Sequence, residues 1–392
     1  MDTATSINSI HSQPAVYDRN HPFHAPFLEN LKLNLEGSSK DTRHQVFGLE
    51  SSGLTYRSGD SLGVFAENPD SLVGELLSKL RLSGDEPVLN QKGESVLLKE
   101  LLTRDYLLNR VSKKFIRLVA GRLPAGARKD ELEAMIADNA RLDEYIFARD
   151  YVDVLNEFGQ IEITAGELVD SLVKAAPRLY SIASSPKKYP TQVHLTVAVV
   201  SYTTFGRSKH GFASGYLAHH LPIGASAPVY VQPSRHFHLP ASDADIIMIG
   251  PGTGIAPFRA FLQEREVDGA SGRNWLFFGD QHRASDFLYG EEFLEYQRRG
   301  LLTRLDLAFS RDQAHKVYVQ NRMREEAREI WRWLQNGAYL YVCGDAHRMA
   351  KDVHQTLIDI AETEGKLSAQ AAAEYVNQTL MKTEKRYLRD VY

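Results

Sequence analysis

One stretch constrains the fold more than any other: Asp245-Ile246-Ile247-Met248-Ile249-Gly250-Pro251-Gly252-Thr253-Gly254-Ile255-Ala256-Pro257-Phe258-Arg259. Five residues, four of them large and apolar, read as a buried strand. Three glycines follow at alternate positions, and Phe258, Phe261 and Leu262 then recur at helical spacing. A strand, a glycine turn and a helix start bring backbone N–H groups to bear on a phosphate. Glycine is favoured there because a Cβ would obstruct the approach and restrict φ. The third glycine comes one residue earlier than in Gly-x-Gly-x-x-Gly, and no clear ribose-binding acid follows about 20 residues on. On its own, the stretch is also compatible with a tight strand–helix turn that holds no ligand.

At 392 residues the chain has room for two or three domains. A net charge of −4 gives no reason to expect a nucleic-acid partner. No apolar run reaches the roughly 18 residues of a membrane span, and the polar N-terminus lacks the apolar core of a secretory signal. The single cysteine, Cys343, excludes an intramolecular disulfide framework. Cytoplasmic residence is the expectation.

Residues 1–20 show no period and read as a tail or linker. Leu28, Leu31, Leu33 and Leu35 suggest a strand, as do Gln45–Glu50 and Leu62–Phe65. Turn clusters between them suggest an antiparallel sheet or barrel. From Ser71 the period becomes helical, with Leu72, Leu76, Leu77 and Leu80 on one face. Further helices are expected over Leu97–Leu108, Lys113–Ala120, Lys129–Asn139 and Leu142–Asn156, with their charges on solvated faces. Strands resume at Leu179–Ile182, His194–Val200 and Pro228–Gln232. The expected architecture is an antiparallel β-barrel from 21–70 and 177–240, interrupted by a helical insertion at 71–176. From 241 to 392, strands Asp245–Ile249, Trp275–Phe278, Arg304–Phe309 and Tyr339–Val342 alternate with helices, which predicts a doubly wound parallel α/β domain.

Four further features bear on chemistry. Arg178-Leu179-Tyr180-Ser181 offers a cation for a diphosphate, a ring to stack and a hydroxyl donor; an exposed arginine beside a core tyrosine fits equally. Lys209–Gly215 is an anion cradle or a plain helix start. Ser310, Arg311 and Lys316 suit a phosphate monoester and Tyr318 an adenine face, but an ordinary surface loop would look the same. Cys343-Gly344-Asp345 follows a strand whose carboxyl end is a usual ligand position, although a buried, inert cysteine is the common case.

In order and spacing these pieces resemble the FAD/NADP reductase module of the diflavin reductase family, most of all its NADPH-sulfite reductase flavoprotein (alpha) branch. Arg178-Leu179-Tyr180-Ser181-Ile182-Ala183-Ser184-Ser185 is similar to the family's flavin motif, and Gly250–Arg259 to its nicotinamide-nucleotide motif. Ser310–Gln313, Lys316–Gln320, Tyr341–Ala346 and Arg386–Tyr392 match as well. The resemblance implies an enzyme in which NADPH reduces FAD and electrons pass to a separate acceptor, with no metal. It implies that Arg178, Leu179, Tyr180, Ser181, Tyr202 and the turn Gly211, Phe212, Ala213 and Ser214 hold FAD. Thr196, Val197 and Ala198 would line the flavin through their backbone, and Tyr392 would cover one face. Gly252, Thr253, Gly254, Ser310, Arg311, Lys316, Val317, Tyr318, Val319, Gln320 and Asp352 would take the nucleotide. Ser181, Cys343 and Asp390 would surround the point of hydride transfer. Phe212 departs from the sulfite reductase pattern, which has glycine there.

The family's FMN-binding flavodoxin domain has no counterpart in the roughly 20 residues before the module, too few for any domain. The implied partner is therefore an FMN-containing flavodoxin-like protein or sulfite reductase haemoprotein. A stand-alone reductase feeding, for instance, a haem monooxygenase is the alternative within the class. A non-catalytic assembly subunit is the alternative outside it.

Overall fold

A computed structural model describes residues 17–90 and 92–392. Most of the expected N-terminal tail lies outside the described residues. Six antiparallel strands form the first sheet: β1 (Phe23–Lys32), β2 (Thr42–Gly48), β3 (Ser61–Val64), β4 (Arg178–Ser181), β5 (Gln192–Ala198) and β6 (Ser226–Gln232), in the order β4-β3-β6-β1-β2-β5. A bridge between Ile182 and Leu195 joins its two ends and closes the barrel. Its core gathers Ala25, Phe27, Phe47, Leu62, Val193, Leu195 and Val229. The leucine pattern found β1 but ran past its end, since Leu33 and Leu35 follow Lys32. Phe27 and Ala25 face inward and Leu28 outward, because side chains on a strand alternate; Leu31, of the same parity as Phe27, is exposed because the register shifts between Phe27 and Glu29.

Between β3 and β4 lie seven helices among the described residues, from Asp70–Leu80 to Ala165–Ser171, around a separate core that includes Leu76, Leu101, Phe115, Tyr151 and Leu168. The helix expected over Leu142–Asn156 is two, Asn139–Ile146 and Tyr151–Phe158. Ala148 turns into the left-handed region at φ 60°, and Asp150 caps the second helix by accepting from the Asp153 N–H at 2.9 Å. The expectation that charges here face solvent fails at Asp150 and Asp153. Asp150 and Asp153 are buried and hold Arg207 and Lys209 of the hairpin Ser201–His210.

The second sheet is parallel throughout. Its strands are β7 (Ile246–Ile249), β8 (Asn274–Asp280), β9 (Arg304–Phe309), β10 (Tyr339–Gly344) and β11 (Tyr387–Val391), in the order β9-β8-β7-β10-β11. Ile247, Ile249, Trp275 and Phe277 pack on one face, and Ile246, Met248, Leu276 and Phe278 on the other. Burial on both faces explains why β7 reads as a continuous apolar run. The order reverses between β7 and β10, so the glycine turn after β7 stands at the switch point where doubly wound sheets take ligands. Among the described residues, no helix is long and apolar enough to cross a membrane.

Candidate functional site

The carboxyl ends of β10 and β11 meet the end of β4 from the other sheet. Register pairs Cys343 with Asp390 across β10 and β11. Ser181 Oγ donates to Asp390 Oδ2 at 2.8 Å, and Cys343 Sγ lies 4.0 Å from the same oxygen. Three polar side chains from two sheets thus converge, although 209 positions separate Ser181 from Asp390. Burial raises the Asp390 carboxyl above its ordinary value, and the bond from Ser181 only partly offsets this. Burial, then the nearby Asp390, pushes the Cys343 thiol well up, so Cys343 is an uncharged group here and not a thiolate nucleophile.

The three glycines after β7 have different duties. Gly252 sits at φ 57° with nothing within 4 Å of where a Cβ would point, so its backbone faces open space. A Cβ on Gly254 would lie 2.1 Å from the Cys343 carbonyl oxygen, and one on Gly250 2.5 Å from that of Gly254. Gly250 and Gly254 are therefore required for close approach within the protein, and Gly252 alone presents an open cradle. Thr253 lies between them, and its hydroxyl pairs with the Tyr392 hydroxyl at 3.0 Å. The last residue is pinned by its backbone as well. Tyr392 N–H donates to Gly344 O, and Ala346 N–H donates to Tyr392 O, both at 3.1 Å.

On the barrel side, Arg178 and Leu179 are exposed, and Arg178 has no carboxylate partner among the described residues. Tyr180 packs partly against the barrel core, and so does Phe212. This accounts for a bulky residue in the turn, because the Phe212 ring leaves the turn for the core. Gly211 is crowded by Val200 and by the Ser214 hydroxyl, which lies 2.7 Å from where a Cβ would stand. Ser214 Oγ accepts from the Val200 N–H at 3.1 Å, which shapes the turn from inside. Ala213 is buried beneath it, and Tyr202 is partly buried on the neighbouring hairpin. Past Leu195, β5 pairs only with β2, so the other edge of Thr196–Ala198 carries no strand. The Val197 side chain is core, and the Thr196 hydroxyl bonds Tyr289 at 2.8 Å. A cleft of about 620 Å³ opens between barrel and insertion beside Pro177 and Phe212, and Arg19, His21, Lys92 and Arg104 are among its lining residues.

The loop after β9 carries Arg311 and Lys316 exposed, without carboxylate partners among the described residues. Ser310 N–H donates to Asp280 O at 2.9 Å, and Tyr318 is 44% exposed at the start of the next helix. Val317 and Val319 are buried in the domain core, so only their backbone is available to a ligand. Gln320 Nε2 donates to Asp352 Oδ2 at 3.0 Å, joining this loop to the helix after β10.

Sequence reading missed a second cluster, where β2, β5, the helix Ala256–Val267 and the start of the helix Gly290–Arg298 meet: buried His44, His194 and Arg259 with half-buried Tyr289 and Glu292. Desolvation lowers the histidines to about 4 and about 3, respectively. Arg259 lay inside the quoted nucleotide motif, but nothing local signalled that it crosses to the other sheet.

A family model for the FAD binding domain matches residues 15–216, and one for the oxidoreductase NAD-binding domain matches residues 248–355. The chain belongs to the FAD binding domain family. The sulfite reductase [NADPH] flavoprotein alpha-component of Vibrio vulnificus is 46% identical over 96% of this chain and 60% of its own length. That of Bacillus subtilis is 46% identical over 96% of this chain and 62% of its own length. The chain thus spans about 60% of the length of the curated relatives it matches. It is an oxidoreductase module with one domain for FAD and one for a nicotinamide nucleotide.

The residues present fit both groups. The crowded Gly211 turn, the unpaired edge of β5 and the free cation Arg178 suit a flat ring joined to a diphosphate. The open Gly252 cradle and the exposed pair Arg311 and Lys316 suit a phosphorylated nucleotide.

Proposed function

We propose that this protein oxidises NADPH on FAD and passes the electrons on to a separate protein, as a sulfite reductase flavoprotein-like module. The convergence of Ser181, Cys343 and Asp390 where the flavin sheet meets the nucleotide sheet carries this reading. Bound FAD supplies the capacity to accept a hydride and release electrons singly. The protein's share is binding and positioning.

In this reading Arg178 and the backbone of Gly211–Ser214 neutralise and seat the FAD diphosphate, Tyr180 packs on the ring, and Leu179, Tyr202 and Thr196–Ala198 border it. Gly252–Gly254 and Asp352 hold the nicotinamide half of NADPH, while Ser310, Arg311, Lys316 and Tyr318, with the backbone of Val317–Gln320, hold its 2′-phosphoadenosine half. Asp390 accepts from Ser181 and so fixes where that hydroxyl points. Cys343, uncharged and buried, supplies a wall that excludes water from the transfer point. The barrel at 21–70 and 177–240 with its insertion at 71–176 is the FAD unit, and 241–392 is the NADP unit. The acceptor is an FMN-carrying flavodoxin-like protein or the haemoprotein of a sulfite reductase, in the cytoplasm where NADPH is held reduced.

The test is NADPH oxidation by the purified yellow protein. Ferricyanide should be reduced rapidly without a partner. A haem protein should be reduced slowly, then faster once a flavodoxin is added, and less well as salt screens the encounter. Rapid haem reduction insensitive to flavodoxin and salt would replace the relay with direct delivery. A colourless protein inert to NADPH would return it to a non-catalytic assembly role.

A further inference from the structure

We propose that Arg259 and Tyr289 are positioning residues that hold the nucleotide turn in register with the flavin-motif strand. The proposal rests on the NADPH-to-FAD reading above. Arg259 follows the Gly250–Ile255 turn by four positions and is 7% exposed. Its Nε donates to Glu292 Oε2 at 2.7 Å, and its Nη1 donates to the Ala183 carbonyl at 2.9 Å. Ala183 lies two residues beyond Ser181, inside the flavin motif. The guanidinium also sits 4.7 Å over the Tyr289 ring.

Tyr289 continues the link. Its hydroxyl is shared between Thr196 Oγ1 at 2.8 Å and His44 Nδ1 at 2.9 Å, both on barrel strands. It holds φ at 54°, in the left-handed region that a residue with a bulky side chain rarely adopts. Such a conformation persists only where its surroundings hold it. One turn along the same helix, Gln263 Oε1 accepts from the Ser185 N–H at 3.1 Å, and Gln263 Nε2 donates to Glu292 at 3.1 Å.

The nucleotide turn is thereby gripped from two sides. Gly254 packs against the Cys343 backbone, while Arg259 and Gln263 tie the following helix to Ala183 and Ser185. Every direct bond from this network to the barrel ends on the flavin motif or on β5 and β2. Hydride transfer is sensitive to displacement, and about 1 Å of misplacement costs on the order of 100-fold. A network that fixes the separation of two binding sites therefore acts on rate and leaves affinity alone.

Tyr289→Phe keeps the ring over Arg259 and deletes only the shared hydroxyl. Arg259→Lys keeps the charge but loses the fork. Both holoproteins are compared with the parent in FAD content, NADP⁺ affinity, rate of flavin reduction in a stopped-flow instrument and backbone hydrogen exchange. The expected result is full FAD, NADP⁺ affinity within about twofold and flavin reduction slowed by about 10- to 100-fold. Exchange should speed up in both 181–185 and 250–255 but not in β8. An unchanged reduction rate, a loss that merely tracks lost FAD or NADP⁺, or exchange confined to the neighbourhood of residue 289 would each overturn the proposal. If the parent is not reduced by NADPH, the functional reading fails, and the exchange result still decides the coupling.

Discussion

Tyr392 is an exposed part of the proposed site and is easy to test. The residue is 52% exposed, yet its hydroxyl is tied to Thr253 and its backbone to Gly344 and Ala346. If the ring covers the flavin face that the nicotinamide must reach, its contacts compete with NADPH. A hydrogen bond between neutral groups contributes about 0.5–1.5 kcal/mol net. Tyr392→Phe removes only that bond and should favour the displaced ring, tightening NADPH by about 2- to 12-fold. Deleting Tyr392 removes the ring as well. It should shift the flavin absorption band and raise the rate with NADH, whose weaker binding is least able to displace the cover. Absorption spectra and stopped-flow reduction by both nucleotides measure these effects. An unchanged spectrum with unchanged NADH kinetics in the deletion would make Tyr392 an ordinary chain end.

Three further outcomes follow from the geometry. Arg311→Ala should weaken NADPH by about 10- to 100-fold through loss of a charge-assisted contact worth roughly 1.5–3 kcal/mol, leaving NADH nearly unaffected; equal losses in steady-state kinetics with both nucleotides would remove Arg311 from this role. Asp390 has a raised folded pKa, so its ionisation penalises the fold increasingly as pH rises from the unfolded value of 3.8 through the folded one. Asp390→Asn should therefore raise the melting temperature more at pH 7 than at pH 4, while slowing flavin reduction by about 10-fold or more. His44 and His194 are lowered to about 4 and about 3 from 6.5, so their stabilisation is complete above pH 6.5 and is lost as pH falls toward those values. Each should cost about 2 kcal/mol between pH 8 and pH 5. Urea unfolding at both pH values should show a flatter dependence in His44→Gln/His194→Gln than in the parent.

The sequence disclosed what is local. β7 announced itself because a strand buried on both faces is continuously apolar, and the glycines marked the turn after it. Both sheets and the insertion followed from the switch between periods of two and 3.6. What escaped reading depends on distant partners. Asp153 looked like a surface charge and Lys209 like part of an anion cradle, because their pairing spans 56 positions. Strand β11 was not read as a strand at all, and its stretch entered only through the resemblance of Arg386–Tyr392. It pairs with β10, yet its Leu-Arg-Asp-Val text carries no strand-like alternation. Tyr289 had no signal at all, since neither its backbone conformation nor its partners on the barrel are encoded nearby.

The helical insertion shows why an absence of catalytic residues is not an absence of role. Arg207 Nη1 reaches both Asp150 oxygens at 2.7 Å, and Lys209, 6% exposed, lies against Asp150 and Asp153. Buried charges this close are costly to leave unpaired, so the hairpin Ser201–His210 is held to the insertion wherever the insertion goes. Gly211 follows that hairpin directly, and its N–H donates to Val200 O at 2.8 Å across the hairpin's base. The turn proposed to seat the FAD diphosphate is therefore anchored through Lys209 to Asp150 and Asp153 of the insertion. Removing the insertion would strand two cations beside that turn, so the barrel and the insertion are one binding unit even though their apolar cores are separate.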